Sequence, residues 1–152
     1  MPDDLSTRAE LARIIDELFI TADRKEWKAL EALFVDGPID VDMTSLTGGT
    51  PARITAADLV AGFKVGLHAG KATHHMTTNY RFTIGSDRAE AWVHGYAWNR
   101  VPAMPPGRDV WETWGNYHLG FVKVSGSWRL SAFRYFSTRT TGNDAVRTHT
   151  LP

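Results

Sequence analysis

The sequence contains no cysteine in its 152 residues. This absence excludes a disulfide framework, a thiolate metal site and a catalytic cysteine. Lysine and arginine together number 17, as do aspartate and glutamate, so the formal net charge is zero. Proteins that bind nucleic acid or anionic membranes usually carry a basic excess. We therefore predict no nucleic-acid partner and no membrane partner.

Long apolar runs are also missing. No stretch approaches the roughly 18 consecutive apolar residues that suggest a membrane span. The first four residues, Met-Pro-Asp-Asp, are polar and acidic, unlike the basic and then apolar start of a signal peptide. With no cysteine and no export signal, we predict a cytoplasmic location.

The strong sequence motifs for metal, phosphate and serine chemistry are absent as well. The sequence has no His-Glu-x-x-His, no glycine-rich phosphate loop and no Gly-x-Ser-x-Gly. His74 and His75 are adjacent, so a strand would point them to opposite faces, where they cannot hold one ion together. Asp40 and Asp42 share a face of a short strand, but paired exposed carboxylates are usually solvated. We predict neither a metal nor a cofactor.

Aromatic residues, in contrast, are plentiful: six tryptophans, seven phenylalanines and four tyrosines. Apolar residues recur with a helical period over residues 7–22, 27–34 and 55–67. The period changes to that of strands over 75–84, 88–99, 110–124 and 128–136. Helices followed by strands indicate an α+β fold. We predict one domain over 1–137 and a flexible or partner-docked tail over 138–152.

The long strands contain Gly95, Gly115 and Gly120. Glycine is where a sheet bends sharply or lets another group approach the backbone closely. These positions favour a curved, cone-shaped antiparallel sheet that wraps around the N-terminal helices and leaves an internal pocket. Some of the aromatic residues would then line a cavity rather than fill a core.

One pair of residues suits acid–base chemistry. Asp23 lies at the junction of the first two predicted helices, and His75 opens the first long strand. Imidazole abstracts protons near neutral pH, and a carboxylate on its other nitrogen fixes the tautomer. Two simpler interpretations remain open: Asp23 caps the second helix, with Glu26 at capping-box spacing, and His75 is a core histidine bonded to the backbone.

Three short motifs carry a family resemblance. They are the run Ala22–Trp27, the run Thr73–Asn79 and the run Gly126–Leu130. Their order and spacing resemble the SnoaL-like branch of the nuclear-transport-factor-2-like superfamily, over roughly residues 7–137. The resemblance implies a cystatin-like α+β roll, in which the sheet forms a cone around the helices.

The resemblance also implies a chemistry. Scytalone dehydratase and hexachlorocyclohexane dehydrochlorinase, two enzymes of this superfamily, carry an Asp-His dyad at positions matching Asp23 and His75, and both perform eliminations. Leu18 and Phe133 stand where the dehydrochlorinase has basic residues, so loss of chloride is not implied. The dehydratase tyrosines also lack a secure match, with Phe19 or Ala22 in place of a hydroxyl.

We therefore predict a cofactor-independent enzyme that uses Asp23 and His75 for elimination, isomerisation or cyclisation of a small apolar cyclic substrate. Fold alone does not decide function. The alternatives are a domain that binds a small molecule without catalysis and an accessory subunit of the same fold. A cavity that holds the two residues in hydrogen-bond reach would favour the enzyme.

Candidate substrate-binding residues surround this dyad. Phe19 lies one helical turn before Asp23. Asn79 lies four residues after His75, on the same face if the strand alternates regularly. The resemblance places Tyr117, Phe133 and Tyr135 inward with Gly95 and Ala97. The competing inner set on the third long strand is Trp114, Asn116 and His118.

The opposite sheet face would carry Trp92, His94, Tyr96 and Trp98. An apolar patch of this kind is unusual on a soluble monomer. We predict that the patch is covered in a homodimer or homotrimer.

Overall fold

The computed structural model of the chain describes residues 5–152. Its elements are α1 (Leu5–Arg24), α2 (Trp27–Glu31), β1 (Pro38–Asp42), α3 (Thr44–Thr47), β2 (Ala52–Thr55), α4 (Ala56–Gly66), β3 (Ala72–Ile84), β4 (Arg88–Arg100), β5 (Val110–Val124), β6 (Ser127–Gly142) and α5 (Asp144–Arg147).

The strands form one sheet of six, in the order β2-β1-β6-β5-β4-β3. Strands β3 to β6 make the predicted antiparallel meander, and β1 joins β6 in parallel. The sheet curves around α1, which confirms the predicted α+β architecture. Helix α3 and strand β2 were not predicted, because four residues are too few to show a period.

Helix α1 presents one apolar stripe to the sheet and packs against β3. The stripe follows the predicted period: Leu11, Ile14, Ile15, Leu18, Phe19 and Ala22 are all buried. Trp27 packs against the same core, as predicted. At about 25 cal/mol per Å² of apolar surface, burial of this stripe is the main force that holds α1 inside the sheet.

Helix α4 begins at the predicted position, with a capping box formed by Thr55 and Asp58. The Thr55 hydroxyl accepts a hydrogen bond from the Asp58 backbone N–H at 3.2 Å. The Asp58 carboxylate accepts one from the Thr55 backbone N–H, also at 3.2 Å. This cap fixes the start of α4 beside β2, so that the helix covers one side of the space inside the sheet.

Two glycines in the sheet make room for tyrosine rings. A Cβ atom at Gly95 would lie 2.2 Å from Cε2 of Tyr117, and one at Gly115 would lie 2.7 Å from the hydroxyl of Tyr135. Both rings therefore lie close to the backbone of a neighbouring strand, and at Gly115 the Phe136 carbonyl oxygen is closer still, at 2.3 Å. The glycines predicted to mark the curved sheet thus also fix where these two aromatic side chains sit.

The C-terminal residues differ from the prediction. Strand β6 continues to Gly142, past its predicted end at residue 136, and α5 follows it. Val146 is fully buried against Val101 and Trp111. The predicted domain boundary at residue 137 therefore lies inside β6, and residues of the predicted tail pack on the domain. One apolar side chain in a polar segment was too weak a signal to predict this.

Lys71 holds the C-terminal ends of two helices together. It is buried, and its ammonium group donates hydrogen bonds to the carbonyl of Gly66 at 2.8 Å and to that of Arg147 at 2.9 Å. These carbonyls end α4 and α5, where the helix dipole favours a cation. Burial, with the nearby charges of Lys25 and Arg147, lowers the pKa of Lys71 to about 8.

Within residues 5–152, no helix combines the length and the apolar character needed to cross a membrane.

Candidate active site

Asp23 and His75 meet where the last turn of α1 contacts the start of β3. The Asp23 Oδ1 atom lies 2.6 Å from Nδ1 of His75. The same carboxylate accepts hydrogen bonds from the His75 backbone N–H at 2.8 Å and from the Thr73 hydroxyl at 2.9 Å. The predicted pairing is therefore present, and three hydrogen bonds fix the carboxylate on β3.

The simpler interpretation of Asp23 is wrong. Asp23 lies inside α1, and the N-cap of α2 is Glu26, which makes no capping hydrogen bond through its side chain. The Asp23 carboxylate turns toward β3 instead of toward the second helix. His75 likewise bonds to a carboxylate through its ring, rather than to the backbone.

The surroundings of Asp23 keep its carboxyl group ionised. Burial acts to raise its pKa, but the hydrogen bonds and charge of His75, with the Thr73 hydroxyl, outweigh burial and lower the pKa below its ordinary value. The Lys25 ammonium donates to the Thr73 hydroxyl at 2.9 Å. Asp23 is therefore an anion at neutral pH, as a carboxylate that orients an imidazole must be.

The pairing fixes which ring nitrogen of His75 is free. When neutral, the imidazole donates its Nδ1 proton to Asp23, which leaves the lone pair on Nε2. Among residues 5–152, Nε2 has no hydrogen-bond partner, and His75 lines the internal cavity. Phe19 stacks on the imidazole, with ring centroids 5.4 Å apart. The geometry presents a basic nitrogen to an apolar space.

The cavity has a volume of about 350 Å³, within the usual range for sites that bind small molecules. It lies between α1, α3, α4 and the concave face of the sheet. The predicted aromatic residues Phe19, Tyr117, Phe133 and Tyr135 all line it. The apolar side chain of Leu18 lines it as well. The cavity suits a small and largely apolar ligand.

The two tyrosines differ in their hydroxyl groups. The Tyr135 hydroxyl lies 2.9 Å from the Thr113 hydroxyl and is thereby paired. The Tyr117 hydroxyl has no hydrogen-bond partner among the described residues, and its ring packs 4.6 Å from that of Phe19. Burial, with the nearby Tyr135 and Asp23, raises the pKa of Tyr117 well above its ordinary value. Tyr117 therefore stays protonated and is free to donate to a ligand.

The predicted cavity position of Asn79 is wrong. A bulge between Thr78 and Arg81 breaks the alternation of β3, and Asn79 has a positive φ of 58° in it. Asn79 is exposed and does not line the cavity. Tyr80 turns toward α1 instead, and its hydroxyl donates to Asp16 at 2.7 Å. One extra residue in a strand is enough to exchange the two faces.

The sequence analysis missed Asn99 and Thr113, which are buried and line the cavity. The signal for Asn99 was available, because the alternation that turns Gly95 and Ala97 inward continues to Asn99 at the end of the same predicted strand. Arg147 also lines the cavity and was missed with the rest of α5.

The convex face of the sheet carries the second aromatic set, as predicted. Trp92 is 45% exposed and stacks on His118, with ring centroids 4.4 Å apart. Trp114 contacts Tyr96 and lies under Arg139. The competing inner set of Trp114, Asn116 and His118 therefore belongs to the convex face, and Tyr117 belongs to the cavity.

Comparison with known proteins agrees with this architecture. A family model described as a SnoaL-like domain matches residues 3–134. No curated protein matches the chain. The Kfla4162 protein from Kribbella flavida is 31% identical with a TM-score of 0.84, over 91% of this chain and 95% of that one.

Two further solved structures are more distant. A scytalone dehydratase-like protein from Novosphingobium aromaticivorans is 20% identical with a TM-score of 0.78, over 97% of this chain and 91% of that one. A type 3 hexachlorocyclohexane dehydrochlorinase from Novosphingobium barchaimii is 18% identical with a TM-score of 0.69, over 97% of this chain and 96% of that one. At these identities the likeness establishes the shared fold.

Proposed function

We propose that this chain, which belongs to the SnoaL-like domain family, is a cofactor-independent enzyme that removes a proton from a small, largely apolar, cyclic substrate. The observation that carries the proposal is the 2.6 Å contact between Asp23 and His75 at the wall of an apolar cavity. The reaction would be an elimination of the dehydratase type, an isomerisation or a cyclisation.

In the proposed mechanism, Nε2 of His75 takes a proton from a carbon next to an activating group. The C–H electron pair moves into a new double bond, and Asp23 stabilises the imidazolium that forms. The Tyr117 hydroxyl donates to the oxygen on which negative charge develops. In a dehydration, the departing hydroxide then receives the proton from His75 and leaves as water.

The geometry supports catalysis over the two alternatives. A ligand-binding domain needs the cavity but has no use for a carboxylate that fixes the tautomer of a cavity histidine. An accessory subunit needs neither a cavity nor such a carboxylate, and side chains would fill the space inside its curved sheet. Leu18 and Phe133 are apolar residues of the cavity wall, and the Arg147 guanidinium that also lines it is bonded to Asp144. Neither Leu18 nor Phe133 can assist a departing halide, which favours dehydration, isomerisation or cyclisation.

A model elimination tests the proposal without knowledge of the natural substrate. In 5-nitrobenzisoxazole, a base removes the C–H proton, the N–O bond breaks and a coloured cyanophenolate forms. We expect saturable turnover, at a rate per site above that of free imidazole at the same concentration, because the cavity excludes water and holds the base in place. A rate no higher than that of free imidazole would contradict the proposal.

We also propose that the convex face pairs with a second copy of the chain. Its exposed Trp92 lies among side chains of both signs, including Glu90 and Arg134, so the face is complementary to itself. Light scattering should give a dimer or trimer mass, and Trp92→Glu should lower it, because burial of a carboxylate is costly. A monomer at all concentrations would contradict this.

The cytoplasmic location stays a prediction.

A further inference from the structure

Besides Nε2 of His75 and the Tyr117 hydroxyl, the cavity contains a third unpaired polar group, at Asn99 of β4. Asn99 is 4% exposed and lines the cavity. Its amide has no hydrogen-bond partner among residues 5–152; its neighbour across the ladder is Trp111. Buried polar side chains are nearly always hydrogen-bonded, so a buried amide that faces a cavity indicates a ligand group.

Strand β4 places Asn99 at a defined distance from the base. Gly95, Ala97 and Asn99 alternate onto the cavity face, the ring of Tyr117 lies over Gly95, and Ala97 pairs with His75. Asn99 therefore lies one two-residue repeat beyond the level of His75, or about 7 Å. Along β4, Asn99 and the ring of Tyr117 lie on opposite sides of the level of His75.

One charge that lines the cavity favours an acceptor oxygen at Asn99. Thr73, its partner in β3, carries no net preference, because its hydroxyl bonds both to the Lys25 ammonium and to the Asp23 carboxylate, each at 2.9 Å. Arg147 lines the cavity, although its guanidinium also bonds to Asp144 at 2.7 and 3.0 Å. An amide N–H that shares its cavity with an arginine suits an oxygen that carries negative charge.

Two further charges near the cavity have partners already. Asp58 also lines the cavity, but its carboxylate is held by Thr55. Lys71 bonds to the carbonyl oxygens of Gly66 and Arg147 and leaves a positive charge behind the cavity wall. Neither group changes the preference for an acceptor.

We propose that Asn99 determines specificity by binding an acceptor oxygen of the substrate, a ketone or a carboxylate, at a point one two-residue repeat of β4, or about 7 Å of backbone, beyond the level of His75. The inference rests on the proposed function, since it takes the cavity to be the substrate site. It adds that the substrate has two oxygen-bearing ends, one for Tyr117 and one for Asn99.

Three probes that share one bicyclic ring test this inference: 2-ethylnaphthalene, 2-acetylnaphthalene and 2-naphthoate. The protein is titrated calorimetrically into each. We expect the wild type to bind the acetyl probe about tenfold more tightly than the ethyl probe, the usual effect of a hydrogen bond to a buried amide. In Asn99→Leu the two affinities should agree within about twofold.

The matched control is Asn116→Leu, the same change in the same sheet but on the convex face, which should keep the tenfold preference. Tighter binding of naphthoate than of the acetyl probe, lost in Arg147→Gln, would identify a carboxylate. Equal binding would identify a neutral carbonyl.

The inference is overturned if the wild type binds the acetyl probe no better than the ethyl probe, or not at all. It is also overturned if Asn99→Leu keeps the preference. The preference should persist in His75→Gln, since binding at Asn99 does not need the base. A loss of catalysis with no loss of this preference would therefore separate the two proposals.

Discussion

Asp23→Asn should slow the elimination of 5-nitrobenzisoxazole by about 10²–10⁴-fold while the protein stays folded. The carboxylate accepts the Nδ1 proton of His75 at 2.6 Å. An asparagine amide can donate to Nδ1 instead, which favours the tautomer with its proton on Nε2. That proton would face the substrate, and the base would be lost. Asp23 thus acts by positioning His75 and does not itself take the substrate proton.

The tautomer itself is the sharper measurement. Nitrogen NMR of the His75 ring should show a protonated Nδ1 in the wild type and a protonated Nε2 in Asp23→Asn. Asp40→Asn is a suitable control, because Asp40 is a half-exposed carboxylate that pairs with Arg53 and Arg134 and does not line the cavity. Unchanged turnover, or the same tautomer in both proteins, would show that Asp23 has only a structural role.

Gly95→Ala should lower the free energy of unfolding by about 2–3 kcal/mol. The new Cβ atom would lie 2.2 Å from Cε2 and 2.5 Å from Cδ2 of Tyr117. The ring cannot easily move away, because it packs 4.6 Å from Phe19 on one side and 4.6 Å from Tyr135 on the other. A displaced Tyr117 would enter the cavity, so the naphthalene probes should bind more weakly as well.

Urea unfolding measures this change, with Gly62→Ala as the matched control. Gly62 lies in α4 at the edge of the cavity, and a Cβ atom there would meet nothing within 4 Å. Because alanine favours a helix, this variant should gain up to about 1 kcal/mol. If Gly95→Ala lost less than about 0.5 kcal/mol, the close approach of Tyr117 would not constrain the cavity.

The sequence was sufficient where a regular period carried the information. The apolar stripe of α1 placed Phe19 correctly, because burial on one face leaves a repeating signal. Alternation along β5 left two inner sets possible, one of them with Tyr117. The family resemblance placed Asp23 and His75 near each other, and the structure then supplied the hydrogen bonds. The resemblance also chose between the two faces of β5.

The sequence was insufficient where one residue broke a period. The bulge at Asn79 exchanges the two faces of β3. A glycine at the bulge would signal its positive φ in the sequence, but asparagine also tolerates a positive φ, so the sequence shows no glycine there. The C-terminal residues were misjudged because a single buried valine, Val146, anchors α5. The alternation of β4 predicts that Asn99 faces inward, but only the packed structure shows that its amide has no partner among the described residues.

The central claim is that His75 acts as a base inside the cavity. The most direct test compares His75→Gln with His74→Gln in the elimination of 5-nitrobenzisoxazole. His74 is the adjacent residue, but it is exposed on the opposite face of β3. We predict that His75→Gln lowers the turnover rate by at least about 10²-fold and that His74→Gln leaves it unchanged. Equal rates in the two variants would contradict the account.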